Sequence, residues 1–202
     1  MANIHDVARR AKVSVMTVSR VINQSGYVKE ETRQRVLKAM EEENYVPNAL
    51  ARNFATQRTW TVALIVADIT NPFFTTVARG TEDMLQKSGY RLILCNSDDD
   101  PKKEEEYIDM CISIRVEGVV IAPSGDHAKG NLQKLMKHSV PFVCIDRKVE
   151  GIHTDLIIGD NIAGSRELVQ HLIDLGHRHI AMVSGPESIS TGRERIEGYR
   201  LA

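Results

Sequence analysis

The chain has 202 residues, 42% of them hydrophobic and 26% charged. Those are globular proportions with room for more than one domain, and no apolar run approaches the ~20 residues of a membrane-spanning helix. The net charge of -1 hides an uneven distribution, because residues 1–60 carry ten Lys/Arg against six Asp/Glu while the rest carry 16 against 21. A basic head on an acidic body suits a head that meets phosphates; the plain alternative is a fluctuation of composition. The polar N-terminus has no signal-peptide core, which argues against export and for a cytoplasmic protein. Cys95, Cys111 and Cys144 are odd in number and widely spaced, as expected of reduced thiols and not of a disulfide frame or a zinc site.

In chain order, Ile4, Val7, Ala8 and Ala11 recur at helical spacing and form one apolar stripe. After a break at Lys12-Val13-Ser14, Val18, Val21 and Ile22 face one way, and Met16, Ser19, Arg20 and Asn23 the other. Two short helices joined by a tight turn make either a helix-turn-helix that reads a DNA groove or an ordinary packed hairpin. A third helix, about 29–43, closes a small core through Val36, Ala39 and Met40, and Glu41, Glu42 and Glu43 read as a solvated face. Residues 48–55 carry a helical pattern behind Pro47, but eight residues are too few to hold a helix alone in water. That stretch is a connector, ordinary or folding only when held.

From Trp60 the pattern changes to short continuous apolar runs, at 62–67, 91–95, 118–122 and 142–145, with helical stretches between them. Runs without alternation are strands buried on both faces, so the fold class is a doubly wound parallel α/β sheet following a helical head. A second α/β unit is expected to open with a strand at 156–159, then a helix at 161–175, a strand at 180–183 and a helix near Arg193.

Ligands of open parallel sheets bind beyond the carboxyl ends of the strands. There lie Asn71, Phe73 and Phe74 after the first strand, Asn96-Ser-Asp98 after the second, and Asp146-Arg147 after the fourth. Bidentate polar groups beside flat rings suit a sugar. The alternatives are a helix start packing into the core and a solvated turn pair. No Gly-x-Gly-x-x-Gly, phosphate loop or Gly-x-Ser-x-Gly occurs, so no cofactor and no enzymatic activity is expected. His171, His177 and His179 fit no standard metal spacing.

Asp6-Val-Ala-x-x-Ala-x-Val-Ser14, Thr17-Val-Ser-Arg-Val-Ile-Asn23, Thr32-Arg-x-Arg-Val36 and Tyr45-x-Pro-Asn-x-x-Ala-Arg52 together resemble the DNA-binding head of the lactose-repressor family. Asp160-Asn-x-x-Gly164, Leu175-Gly-His-Arg178, Ser184-Gly-Pro186 and Arg195-x-x-Gly-Tyr199 resemble that family's effector domain, which is like periplasmic binding proteins. Within the family the sequence looks most like ribose-operon repressors. The resemblance implies a head at 1–46, a hinge helix and linker at 47–59, a first effector lobe at 60–154 and the start of a second lobe at 155–202. It implies a repressor that binds a palindromic operator as a homodimer and responds to a small sugar such as ribose. A sugar-binding protein that never touches DNA is the rival reading.

Resemblance also assigns roles. Ser14 caps the second helix near a phosphate, Val15, Met16 and Arg20 read base edges, and Thr17, Ser19, Asn23 and Tyr45 lie in the same surface. Asn48, Leu50 and Ala51 belong to the hinge helix, and Phe54 stands where the family wedges a side chain, usually leucine, into the minor groove. Asn71, Phe73, Phe74, Asp146, Arg147 and Arg195 correspond to the sugar-contacting positions of ribose-binding proteins. Lys12 departs from the usual glycine of the turn, a strain of roughly 1 kcal/mol if φ is positive there. Family members are longer, so a fragment or a truncated product is expected, with weak effector binding and an unstable final segment.

Overall fold

The computed structural model describes residues 2–23, 25–46 and 58–202. The chain divides into two compact units, Met1–Arg58 and Thr59–Ala202. The expected hinge helix, including Pro47, lies outside the described residues.

In the first unit, α1 spans Ile4–Ala11, α2 Val15–Asn23 and α3 Glu30–Glu42. A capping box starts α1: the Asn3 side chain accepts from the Asp6 N–H, and Asp6 accepts from the Asn3 N–H. Lys12 ends α1 at φ 54°, ψ 47°, the left-handed conformation, so the turn does need positive φ. Val7, Val18 and Val36, one from each helix, are fully buried in a core shared with Ala8, Ala11, Val21 and Ala39. The acidic run is not merely a solvated face. Arg10 donates to Glu42 at 2.6 Å and lies 3.4 Å from Glu43, which ties α1 to α3. Two carboxylates end up near one cation because the α1 C-terminus and the α3 C-terminus pack side by side, which spacing along the sequence does not reveal.

The second unit holds β1 (Thr61–Val66), α4 (Pro72–Lys87), β2 (Arg91–Asn96), α5 (Pro101–Ser113), β3 (Gly118–Ile121), α6 (Lys129–Lys137), β4 (Phe142–Ile145), β5 (Asp155–Ile157), α7 (Asn161–Asp174) and α8 (Ser190–Leu201). The strands form one sheet in the order β2-β1-β3-β4-β5, and every pairing is parallel. Alternation along β1 sends Ala63 and Ile65 to one face and Leu64 and Val66 to the other. On the first face α5 and α6 bury Ile108, Cys111, Leu132 and Leu135. On the second, α4 brings Phe74, with Val77 and Ala78 beside it.

Two strand expectations change. The strand at 156–159 forms as β5, but it pairs with β4 and extends the first sheet instead of opening another. Residues 180–183 are not a strand. A strand is half of a ladder, and among the described residues this run pairs with no other strand. Instead α7 and α8 pack together. A Cβ on Gly198 would stand 2.3 Å from the Ile162 carbonyl, so only glycine permits that approach. Tyr199 Oη donates to the Ile180 carbonyl at 2.7 Å, and Ser165 Oγ to that of Arg195, also at 2.7 Å.

Candidate functional site

In the first unit the structure sorts the expected contact residues by what their side chains do. The Thr17 N–H donates to Ser14 Oγ at 3.2 Å and the two hydroxyls lie 2.9 Å apart, so Ser14 caps α2. Val15 is half-buried against the core, and Tyr45 packs on the same core. Asn23 Nδ2 donates to Ser19 Oγ at 3.2 Å, committing part of both side chains within the helix. That leaves Met16, 64% exposed, and Arg20, also exposed, one turn apart on one ridge of α2. An unbranched apolar chain beside a five-donor guanidinium offers contact to a thymine methyl and a bidentate pair for guanine. Asn48, Leu50, Ala51 and Phe54 fall outside the described residues.

In the second unit an open cavity of about 1040 Å³ lies on the α4 face of the sheet. It brings together Asn71, Phe73, Phe74, Asp146, Arg147 and Arg195, all six positions singled out in the sequence. Its floor is sheet, from Val120, Val143, Ile145 and Ile157, and its polar end adds Asn161 and Thr191. Asn71 caps α4, its Oδ1 accepting from the Phe73 N–H at 3.0 Å. Pro72 at the first helical position then turns successive rings to different surroundings. Phe74 is buried and Phe73 is 48% exposed, with centroids 5.0 Å apart in an edge-to-face contact. Phe74 thus packs into the core as a helix start does, while Phe73 keeps half its ring free.

Asp146 and Arg147 are not a solvated turn pair, since Arg147 is only 7% exposed. Asp146 sits at φ 63°, and its N–H donates to the Ile157 carbonyl at 2.9 Å. Burial pushes the Asp146 carboxyl above the usual carboxylate range, against the opposing pull of Arg147 and Arg195. Arg147 donates to both carboxylate oxygens of Asp99 and to the Pro123 carbonyl, the last at 3.0 Å. Arg195 Nε donates to Asn161 Oδ1 at 3.2 Å. Asn161 Nδ2 donates to Glu194 at 3.0 Å, and Lys148 pairs with Glu194 at 2.8 Å. The polar end thus offers one carboxylate acceptor, a threonine hydroxyl and the remaining N–H groups of two guanidiniums, facing two rings.

Sequence reading missed Asp99, Asn161 and Thr191. Asp99 follows the strand-end segment Asn96-Ser-Asp98 by one residue, and Asn161 lies inside the Asp160-Asn-x-x-Gly164 motif, so a signal existed for both. Among the described residues no group of three or more His, Cys, Asp or Glu can hold a metal ion. None of the described helices is long and apolar enough to cross a membrane.

Comparison with known proteins covers both units. Residues 3–48 match the family described as "Bacterial regulatory proteins, lacI family", and residues 59–202 match "Periplasmic binding proteins and sugar binding domain of LacI family". A ribose operon repressor of Halalkalibacterium halodurans is 38% identical over 200 residues, covering 99% of this chain and 59% of that protein. The transcriptional repressor PurR of Aliivibrio fischeri is 39% identical over 203 residues, covering 100% of this chain and 60% of that protein. The solved Lac repressor dimer, bound to operator and the anti-inducer ONPF, is similar with a TM-score of 0.85 at 26% identity, over 99% of this chain and 61% of that one. The chain spans about 60% of the length of the curated relatives it matches. It belongs to the LacI family of bacterial regulatory proteins, with the family's helix-turn-helix head and sugar-binding-type α/β body.

Proposed function

We propose that the protein is a sequence-specific DNA-binding repressor of transcription that works in the cytoplasm as a homodimer on a palindromic operator. The observation that carries this reading is α2, a helix capped by Ser14 whose solvent ridge is Met16 and Arg20 on a compact three-helix unit. A helix of that size fits the major groove, Arg20 pairs with guanine or a phosphate, and Met16 covers a thymine methyl. The similarity to a Lac repressor dimer bound to operator supports the same reading. In it residues 1–46 are the head, 47–59 the hinge and linker, 60–154 the first effector lobe and 155–202 the start of the second.

The cavity at the strand ends is the effector site in this reading, and a small sugar such as ribose is the effector. Asp146 accepts from sugar hydroxyls, Arg147 and Arg195 donate to them, and Phe73 and Phe74 face the sugar C–H groups. Effector binding alters the relation between subunits and orders or melts the hinge, which couples the two sites through an order–disorder element. The reading contains no catalytic step.

A labelled palindromic duplex titrated at several salt concentrations tests the DNA half. Affinity should fall steeply with salt, as counterion release requires. Arg20→Ala should weaken specific binding about tenfold or more while leaving thermal stability unchanged. Unchanged operator affinity in that variant, or no binding at low salt, would leave a sugar-binding protein without a DNA role as the better reading. A thermal-shift panel of pentoses and hexoses tests the effector half.

A further inference from the structure

Arg147 does not enter the cavity as an open guanidinium. Of its five N–H groups, the two on Nη1 go to Asp99 Oδ1 and the Pro123 carbonyl, and one on Nη2 goes to Asp99 Oδ2 at 3.4 Å. Nε is buried 3.4 Å from Asp146 Oδ2, near enough for an ion pair, and finds no hydrogen-bond partner among the described residues. Asp99 itself does not line the large cavity. It lines a smaller neighbouring one of about 280 Å³, which Arg147 and Arg195 also line, and it meets Arg147 there. Its backbone is held for the purpose: φ is 56°, and its N–H donates to the Ala67 carbonyl at the end of β1 at 3.1 Å.

The charges around Arg147 decide what the site accepts. Asp99 and Asp146 pair with it, and Glu104, fully buried on α5, lies within electrostatic reach. Carboxylates already answer this cation. A phosphate brought to Arg147 meets the Asp99 and Asp146 carboxylates at close range, the first 42% exposed and the second largely buried, whereas a hydroxyl needs only the free N–H groups. Without Asp99 the fork keeps Asp146 beside Nε but loses the carboxylate on Nη1 and Nη2, which frees the paired N–H groups that bind a phosphate bidentately.

Resting on the reading of the large cavity as the effector site, we infer that Asp99 is a positioning residue that sets ligand class. It aims Arg147 and cancels its charge, so that the cavity takes uncharged polyhydroxylated ligands and rejects phosphorylated ones. Asp99→Asn removes the charge, keeps one acceptor and suits the left-handed backbone, where asparagine is tolerated. Asp99→Ser serves the same purpose should the Asn variant not fold, and Asp99→Glu restores the charge.

The test follows the Arg147 Nε–H signal by NMR in the ¹⁵N-labelled 202-residue chain, assigned through its loss in Arg147→Lys. Inorganic phosphate is the probe. In the wild type the signal should not move with phosphate. In Asp99→Asn or Asp99→Ser it should move and saturate with an affinity at least about tenfold higher, the scale of one charge-assisted hydrogen bond. Asp99→Glu should return to wild-type behaviour. Phosphate shifts of similar size in wild type and Asn variant, no shift in either, or a Glu variant that behaves like the Asn variant would each overturn the inference. A separate titration with ribose bears on the effector reading alone, because the phosphate comparison does not depend on which sugar binds.

Discussion

The Cζ atom of Arg147 lies over the Phe74 ring, 6.0 Å from its centroid, and both side chains line the cavity. Phe74 is 3% exposed and Phe73 is 48% exposed, so two adjacent residues of one type do different work. Phe74→Ala should cost about 3–5 kcal/mol of stability, the usual loss for a buried ring. Phe73→Ala should change stability by no more than about 1 kcal/mol, its ring being half in solvent, and should act mainly on ligand binding. Urea unfolding of both variants checks this, and equal losses would contradict the packing.

Lys12 holds a left-handed conformation at the end of α1, with its N–H directed to the carbonyls of Ala8 and Arg9. Lys12→Gly should stabilise the first unit by about 1 kcal/mol, by removing the Cβ clash that a left-handed L-residue carries. The gain is partly offset by the greater freedom of glycine in the unfolded chain. Amide hydrogen exchange at Val7 and Ala8, read in the whole chain, should slow accordingly. Faster exchange would show that the lysine side chain contributes more than its backbone strain costs.

Glu104 is fully buried, accepting from the Ser124 N–H at 2.7 Å and from Asn131 Nδ2 at 2.9 Å. Burial pushes its carboxyl above the usual range, against the pull of those two hydrogen bonds and of Arg147. The folded value lies above the unfolded one. Its contribution to stability is therefore fully present below the ordinary glutamate value of about 4.3 and is lost as pH rises through the raised folded value. Glu104→Gln removes that titration. Relative to wild type the Gln variant should gain stability as pH climbs through that window. A difference in unfolding midpoint that stays flat with pH would mean that Glu104 titrates normally.

Cys95, Cys111 and Cys144 are buried and free. Desolvation raises the Cys95 thiol to about 11, and the Cys111 and Cys144 thiols to about 12. At pH 8 almost no thiolate is present, and the thiolate is the reactive form. Native protein should resist iodoacetamide while urea-unfolded protein takes up label at all three cysteines, as counted by mass spectrometry. Rapid labelling of the native chain would mean that the core around α5 opens.

Much of the cavity was legible in the sequence, because strand ends in a parallel sheet converge whatever the rest of the chain does. Continuous apolar runs placed β1 to β4, and proline after Asn71 and after Asp100 marked the starts of α4 and α5. The periodicities of 3.6 and of continuous burial are local properties, set by residues a few positions apart, so reading along the chain finds them.

What the tertiary structure alone decided is who partners whom. Residues 180–183 have the composition of a strand, yet form none, since a ladder needs an edge that composition does not supply. Arg10 meets Glu42 across 32 positions and Arg147 meets Asp99 across 48, separations at which pattern carries no information. Sequence placed Arg147 at the end of β4 but left open whether it was a solvated charge. In the fold that cation is buried, and the loop after β2, with the Asp99 N–H donating to the Ala67 carbonyl, supplies a counter-charge.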